Sequence, residues 1–171
     1  MEPSQVIKKL LPAFQQYYTI KDTDVMPPFC AEAEFRSHNE QYFLVRSAHI
    51  ADIDSNEFVY FADADSMDTT KLEELVKAAW ETGLAKVKPY NGHRNSDVSL
   101  LIFAKTISSE TIQAIKKIKL YKSYKFSLYG WSHFKLAVCL LPDGDASEVE
   151  VYTNRQGKDF IKLIKKNIKI Y

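Results

Sequence analysis

Alternating apolar and polar residues predict a group of β-strands in the first half of the chain. The segment "FCAEAEFRS", which begins at Phe29, places apolar side chains at every second position and charged ones between them. Side chains of a strand point alternately to opposite faces, so this period of two indicates a strand with one buried face. Segments 42–51 and 57–63 are also apolar and follow short polar turns. Short turns favour antiparallel neighbours, and we therefore predict a three-strand meander.

Apolar residues recur at intervals of three and four in four other segments, which predicts helices over 4–18, 69–83, 108–118 and 156–168. Ser4 is placed to cap the first helix, and Pro12 should break it, because proline has no N–H for the helical hydrogen bond. Asp68 is placed to cap the second helix and Gly83 to end it.

Three or four more strands are predicted in the second half of the chain, depending on whether Gly130 separates two strands or bends one long strand. Segment 97–105 is almost continuously apolar, which is typical of a central strand covered on both faces. In "YKFSLYGW", 124–131, Tyr124, Phe126 and Leu128 alternate with polar residues, and we expect these three side chains to face the core. Gly130 then marks a bulge or bend before a strand over 132–141, and a hairpin at "PDGD" leads to a return strand over 147–154.

Strands grouped with strands indicate an α+β fold rather than regular βαβ winding. We predict a single mixed, mostly antiparallel sheet with helices packed mainly on one face. No linker-like stretch interrupts residues 1–171, so we expect a single domain.

Composition and charge narrow the class of protein. Hydrophobic residues make up 46% and charged residues 26% of the chain, which is typical of soluble globular proteins. Both cysteines, Cys30 and Cys139, lie in apolar runs and are predicted to be reduced core thiols. We find no signal-peptide pattern and no apolar run long enough to cross a bilayer, and therefore expect a cytoplasmic protein with no membrane partner. Residues 1–104 carry a net charge of −6 and residues 105–171 one of +7, which indicates either a face for polyanions or two halves that attract each other.

Glu32 and Glu34 are the catalytic candidates. They lie two residues apart on one predicted strand, so both carboxylates leave the same face and could bind Mg²⁺ or transfer protons. The alternative is a solvated strand face opposite Arg36 or Arg46. The order of elements over residues 4–105 resembles the core of metal-dependent nucleases of the restriction-endonuclease type, but that family's acidic residue, spacer and lysine are absent from "EFVYFAD".

The ligand-binding candidates are polar or aromatic residues in predicted loops and at strand ends: His93, Arg94, Trp131, His133 and Arg155. No phosphate-binding loop, dinucleotide glycine pattern or metal-ligand spacing occurs, so we predict no cofactor and no metal. The leading hypothesis is a non-enzymatic ligand-binding or interaction domain. A metal-dependent hydrolase or nuclease that uses Glu32 and Glu34 is the alternative, and whether the protein is an enzyme stays open.

A second alternative is nucleic-acid binding through "KKIKLYKSYKF", 116–126. Lysines interleaved with aromatic residues suit a surface on which ammonium groups pair with phosphates and rings stack on bases. On a strand, however, the rings would face the core and the lysines the solvent. An uncovered sheet face or edge would also allow the chain to form a homo-oligomer.

The segment "YKFSLYGW…FKLAV…EVYTNRQGK", together with "AEAEF", "SNEFVYF" and "VSLLIFA", resembles an uncharacterised family of small cytosolic proteins from Gram-positive anaerobes. The resemblance implies a bacterial, cytosolic origin but brings no activity, ligand or catalytic residue. It directs attention to six residues: Gly130, Trp131, Thr153, Asn154, Arg155 and Gly157. In "TNRQG", Arg155 could bind a carboxylate or phosphate, or Asn154 could simply cap the following helix.

Overall fold

A computed structural model describes residues 2–36, 54–141 and 149–168. Its helices are α1 (Pro3–Leu10), α2 (Thr69–Lys86), α3 (Ser109–Lys117) and α4 (Asp159–Asn167), and a 3₁₀ helix over Leu11–Ala13 follows α1. Its strands are β1 (Thr19–Lys21), β2 (Ala31–Arg36), β3 (Asp54–Met67), β4 (His93–Ile107), β5 (Tyr121–Ser123), β6 (Trp131–Leu140) and β7 (Glu150–Thr153). The predicted strand over 42–51 and the "PDGD" hairpin lie outside the described residues.

The seven strands form one mixed sheet, which confirms the predicted α+β class. The strand order is β1-β2-β3-β4-β6, and β5 and β7 both pair with β6 along its other edge. Strands β3, β4 and β6 are parallel, since α2 and α3 lie in the connections between them, and the other four pairings are antiparallel. The sheet is therefore mostly antiparallel by number of pairings, with a parallel centre.

The helices cover both faces of the sheet, so the prediction that they pack mainly on one face is wrong. One core contains α1 and α4 with Val59, Leu101 and Ala137 of the central strands. The other contains α2 and α3 with Tyr60 and Leu100. The reason is visible in β3, where consecutive residues 58–61 are all apolar and point alternately to the two faces. Both faces of the central strands therefore have to be removed from water.

Of the four predicted signals for helix caps and ends, two are confirmed and two are wrong. Asp68 caps α2, since its Oδ1 accepts a hydrogen bond from the Lys71 N–H at 2.8 Å. The first helix does break at Pro12, where 3₁₀ geometry replaces the α-helix, but its N-cap is Glu2 and not Ser4. Gly83 does not end α2, which continues to Lys86. A Cβ at Gly83 would lie 2.5 Å from a methyl group of Val98, so this glycine allows α2 to approach β4 closely.

The predicted strand over 124–131 is wrong. Strand β5 ends at Ser123 and pairs with the first three residues of β6, so residues 124–130 must reverse the chain between two antiparallel neighbours. Phe126 is 99% exposed and Leu128 is 74% exposed, contrary to the prediction that both face the core. The predicted strand that follows is confirmed, and its Phe134 and Leu136 are fully buried.

Candidate functional site

An open cavity of about 450 Å³ lies beside the first residues of the parallel strands β3 and β4. Its wall contains the aromatic residues Tyr17, Tyr18 and Phe35 and the polar residues Ser55, Asn56, Glu57, Asn95, Asp97 and Lys135. The charged residues point to the same face of the sheet as Val59, Leu101 and Ala137, which is the face that carries α1 and α4. Cavities of this size are typical of small-molecule sites.

The register of the sheet brings the three charged side chains together. Glu57 of β3 is the direct partner of Asp97 of β4, and Ser99 of β4 is the direct partner of Lys135 of β6. Because side chains two residues apart share a face, Asp97 and Ser99 point into the same space. Tyr18 reaches this space from the segment after the 3₁₀ helix, where its ring packs edge-on against buried Phe14 with centroids 5.2 Å apart.

Lys135 is held between the two carboxylates. Its Nζ lies 3.1 Å from Glu57 Oε1 and 3.0 Å from Asp97 Oδ2, and all three side chains are largely buried. Burial disfavours the charged amine, but the charges of Glu57 and Asp97 and their hydrogen bonds outweigh it and raise the pKa of Lys135 above its ordinary value. Lys135 therefore stays protonated at neutral pH.

Neutral donors hold the carboxylates in place as well. The Ser99 hydroxyl donates to Glu57 Oε1 at 2.7 Å, and the Tyr18 hydroxyl donates to Glu57 Oε2 at 2.5 Å. The backbone N–H of His133 donates to Asp97 Oδ1 at 3.3 Å. Two carboxylates face one ammonium group, so the formal net charge of these three side chains is −1.

Three of the predicted ligand-binding residues lie near one another at the end of the sheet where β4 and β6 begin. His93 and Arg94 are the first residues of β4, and Trp131 is the first residue of β6, opposite Asn95. His93 is buried: its Nδ1 lies 2.7 Å from the Tyr129 carbonyl oxygen and its Nε2 lies 2.8 Å from Ser96 Oγ. A carbonyl oxygen can only accept, so Nδ1 carries the proton, and this histidine anchors the 124–130 turn.

The other two candidates lie elsewhere. His133 contributes its backbone to the Asp97 site, while its ring packs against Tyr121 with centroids 5.1 Å apart. Arg155 is exposed beyond β7, next to Asn154, whose backbone is bonded to Leu136 further along β6. None of the five predicted ligand-binding residues is among the described residues that line the cavity.

Glu32 and Glu34 point to the opposite face of the sheet, towards α2. Glu32 Oε2 lies 2.8 Å from Lys86 Nζ, and Glu34 forms an ion pair with Arg36. Each carboxylate thus has its own cation. Across residues 2–36, 54–141 and 149–168, no group of three or more His, Cys, Asp or Glu side chains is arranged to hold a metal ion.

Sequence reasoning missed Glu57 and Lys135, although the chain contains a signal for them, and it considered Asp97 only as one of the polar residues of segment 91–97 that could line a pocket. Lys135 lies between fully buried Phe134 and Leu136, and the five residues that follow it in β6 are all apolar. A lysine at such a position must find buried carboxylates, because an unpaired charge is very costly there. Asp97 and Ser99 similarly interrupt the start of the most apolar strand.

Comparison with known proteins identifies a family whose function is unknown. The model of the family described as Domain of unknown function (DUF8052) matches residues 2–166. No curated protein and no solved structure matches the chain. Within the described part of the chain, no helix is long and apolar enough to cross a membrane.

Proposed function

The chain belongs to the DUF8052 family, whose function is unknown, and we propose that it is a ligand-binding domain whose cavity takes a small organic cation. The observation that carries this proposal is the Lys135 ammonium held between Glu57 and Asp97 in an open cavity with an aromatic wall. The bacterial origin and cytoplasmic location expected from the sequence are part of the same proposal.

The charge of the site favours a cation over an anion. Among the described residues that line the cavity, Glu57 and Asp97 contribute two negative charges and Lys135 one positive charge, which leaves one negative charge to be balanced in a largely buried site. From the described part of the chain, Asp97 receives one hydrogen bond at each oxygen, from His133 and from Lys135, and a carboxylate oxygen can accept two. An ammonium or guanidinium group at Asp97 would therefore find both an unbalanced charge and acceptor capacity.

The aromatic wall suits the uncharged part of such a ligand. Tyr17, Tyr18 and Phe35 line the same cavity as Asp97. Aromatic faces attract cations and also bury apolar groups, so a ligand with an amine on a short apolar body matches both parts of the wall.

The state of Lys135 favours binding over covalent catalysis. A lysine that forms a Schiff base or acts as a general base must lose its proton near neutral pH. Two carboxylates within 3.1 Å do the opposite and stabilise the protonated amine. Lys135 therefore serves to position Glu57 and Asp97.

Three ligands of nearly equal shape and different charge test the proposal: benzylamine, benzyl alcohol and benzoate. We expect isothermal titration calorimetry to show that benzylamine binds at least about tenfold more tightly than the other two, since one good charge-assisted hydrogen bond is worth about 1.5–3 kcal/mol. Asp97→Asn should remove the preference for the amine. Asp63→Asn, the same change at an exposed position on β3, should leave that preference unchanged.

Several outcomes would overturn the proposal. These are equal affinity for benzylamine and benzoate, an amine preference that survives in Asp97→Asn, or no binding of any of the three at millimolar concentration. Circular dichroism of each variant must first show that it folds like the wild type.

A further inference from the structure

The turn over 124–130 presents two large apolar side chains to water. Phe126 is 99% exposed and Leu128 is 74% exposed, and only one residue separates them. Single exposed apolar residues are common on soluble proteins. Two of them at the tip of one hairpin form an apolar projection, and strand β5 of the same hairpin carries the half-exposed ring of Tyr121.

The turn holds these side chains out in a conformation that is unfavourable in itself. Lys125, Phe126 and Ser127 have φ values of 45°, 54° and 68°, in the left-handed region that residues with a side chain rarely adopt. The hairpin closes with a backbone hydrogen bond from Tyr124 N–H to the Gly130 carbonyl oxygen at 2.9 Å. Such a conformation persists only where the surroundings enforce it.

Side chains outside the turn enforce it. Buried His93 donates from Nδ1 to the Tyr129 carbonyl oxygen at 2.7 Å, and the Tyr124 hydroxyl lies 2.9 Å from Ser132 Oγ on β6. The projection is therefore tied to two strands of the central sheet. It is presented in a set orientation before any partner arrives.

The charge around the projection is uniformly positive along the chain. Between Thr111 and Leu141 the sequence contains lysines at 116, 117, 119, 122, 125 and 135 and no Asp or Glu. Lys122 and Lys125 flank the tip, where their ammonium groups lie 5.6 Å and 4.3 Å from the ring centroids of Tyr124 and Tyr129. A partner that meets Phe126 thus also meets these cations, which selects for an anionic surface.

We propose that this turn docks on the surface of a bilayer that contains anionic lipids. Phe126 and Leu128 would enter the boundary between headgroups and acyl chains, while Lys122 and Lys125 face the lipid phosphates. An aromatic and an aliphatic side chain surrounded by lysines and tyrosines fit this boundary. A single-stranded nucleic acid fits less well, because Leu128 has no ring to stack on a base.

This proposal is independent of the cation-binding cavity. It also revises the expectation of no membrane partner, which considered only segments that could span a bilayer. Surface docking needs a few apolar side chains and nearby cations, and both are present on this turn.

Co-sedimentation of the full chain with vesicles tests the proposal. We expect binding to vesicles of phosphatidylcholine with phosphatidylglycerol, little binding to phosphatidylcholine alone, and a loss of binding as salt is raised. The double variant Phe126→Ser/Leu128→Ser should lower the partition coefficient by about tenfold or more, because each side chain contributes separately to insertion. Met26→Ser is the matched control: Met26 is 73% exposed but lies far along the chain from the turn, and its loss should change nothing.

Charge reversal provides a second readout. Lys122→Glu/Lys125→Glu should abolish the preference for phosphatidylglycerol, and both altered positions are exposed, so folding should survive. The proposal is overturned if the chain does not bind the anionic vesicles, if the Phe126/Leu128 variant binds as well as the wild type, or if Met26→Ser is equally impaired. Binding of a single-stranded oligonucleotide without vesicle binding would assign the surface to nucleic acid instead.

Discussion

A gap along one edge of β6 is bridged by the side chain of Asn154 together with two backbone hydrogen bonds, which run from the Phe134 N–H to the Leu120 carbonyl oxygen and from the Asn154 N–H to the Leu136 carbonyl oxygen. Strand β5 pairs with β6 only over Trp131–His133, and β7 pairs with it only over Ala137–Leu140. Between them, the Asn154 Nδ2 group donates to the Phe134 carbonyl oxygen at 2.9 Å, and Oδ1 accepts from Leu136 N–H at 3.0 Å. The amide thereby replaces the backbone of a missing strand residue.

The same amide also ties two other segments to the sheet. Its Nδ2 group donates to the Ile118 carbonyl oxygen at 3.2 Å, and its Oδ1 accepts from Gly157 N–H at 2.9 Å. Asn154 is 1% exposed, so water cannot replace these partners. Gly157 depends on the same close approach, because a Cβ there would lie 2.2 Å from the Leu136 carbonyl oxygen.

We expect Asn154→Ala to lower the free energy of unfolding by about 3–5 kcal/mol. The substitution removes four hydrogen bonds, and each contributes about 1 kcal/mol net to stability, so the expected total is about 4 kcal/mol. The upper end is limited because the Gly157 N–H keeps a 3.3 Å contact with the Asn154 carbonyl oxygen. For a domain with about 5–15 kcal/mol of stability, such a loss is a large fraction of the total.

Urea unfolding followed by circular dichroism measures this loss as a lower midpoint at an unchanged slope. Asn167→Ala is the matched control, because Asn167 is exposed and makes a single side-chain bond to the Leu163 carbonyl oxygen. We expect that control to stay within about 0.5 kcal/mol of the wild type. If Asn154→Ala costs no more than Asn167→Ala, the amide does not complete the sheet edge and the reasoning fails.

Two further predictions concern backbone geometry and pH. Gly130→Ala should destabilise the fold by more than Gly92→Ala. Both glycines have positive φ, and a side chain in that conformation costs about 1–2 kcal/mol. At Gly130, the added Cβ would also lie 2.2 Å from the Arg94 carbonyl oxygen, whereas at Gly92 it would meet no such contact. Equal losses in urea unfolding would contradict that contact. Burial, followed by the charge of Asp63, raises the pKa of Cys30 from 9.0 to about 11, so its contribution to stability is complete below pH 9 and is lost as the pH rises to about 11. Unfolding free energies measured across that range should fall less steeply for Cys30→Ser than for the wild type, and identical slopes would show that this thiol is not perturbed.

Local patterns predicted the individual elements better than their arrangement. Helices α2 and α3 and strands β4 and β6 follow from spacing and caps, because those signals lie within a few residues of each other. The placement of helices on both faces depends on β3 being apolar at consecutive positions. A search for alternating apolar and polar residues does not detect this pattern. The short strands β1 and β5 carry almost no pattern at all.

The cavity was beyond sequence reasoning for a different reason. Glu57 and Asp97 are 40 positions apart and become neighbours only through the register of β3 and β4. Register is set by the packing of whole strands, so it cannot be derived from either segment alone. Glu32 and Glu34, in contrast, were conspicuous because they are close in sequence, yet each forms its own ion pair.

At two places where this chain departs from its own local rules, we also propose function. The alternation in "YKFSLYGW" is typical of a strand with one buried face. In the structure, however, three residues of this segment adopt the left-handed conformation and Phe126 is exposed to water. Lys135 occupies a position that an apolar residue would fill, and replacing a buried ion pair with apolar groups is often neutral or stabilising. Stability alone therefore explains neither the exposed ring nor the buried charges. Departures of this kind are expected where a surface or cavity meets a partner, since elsewhere local preference and global fold agree.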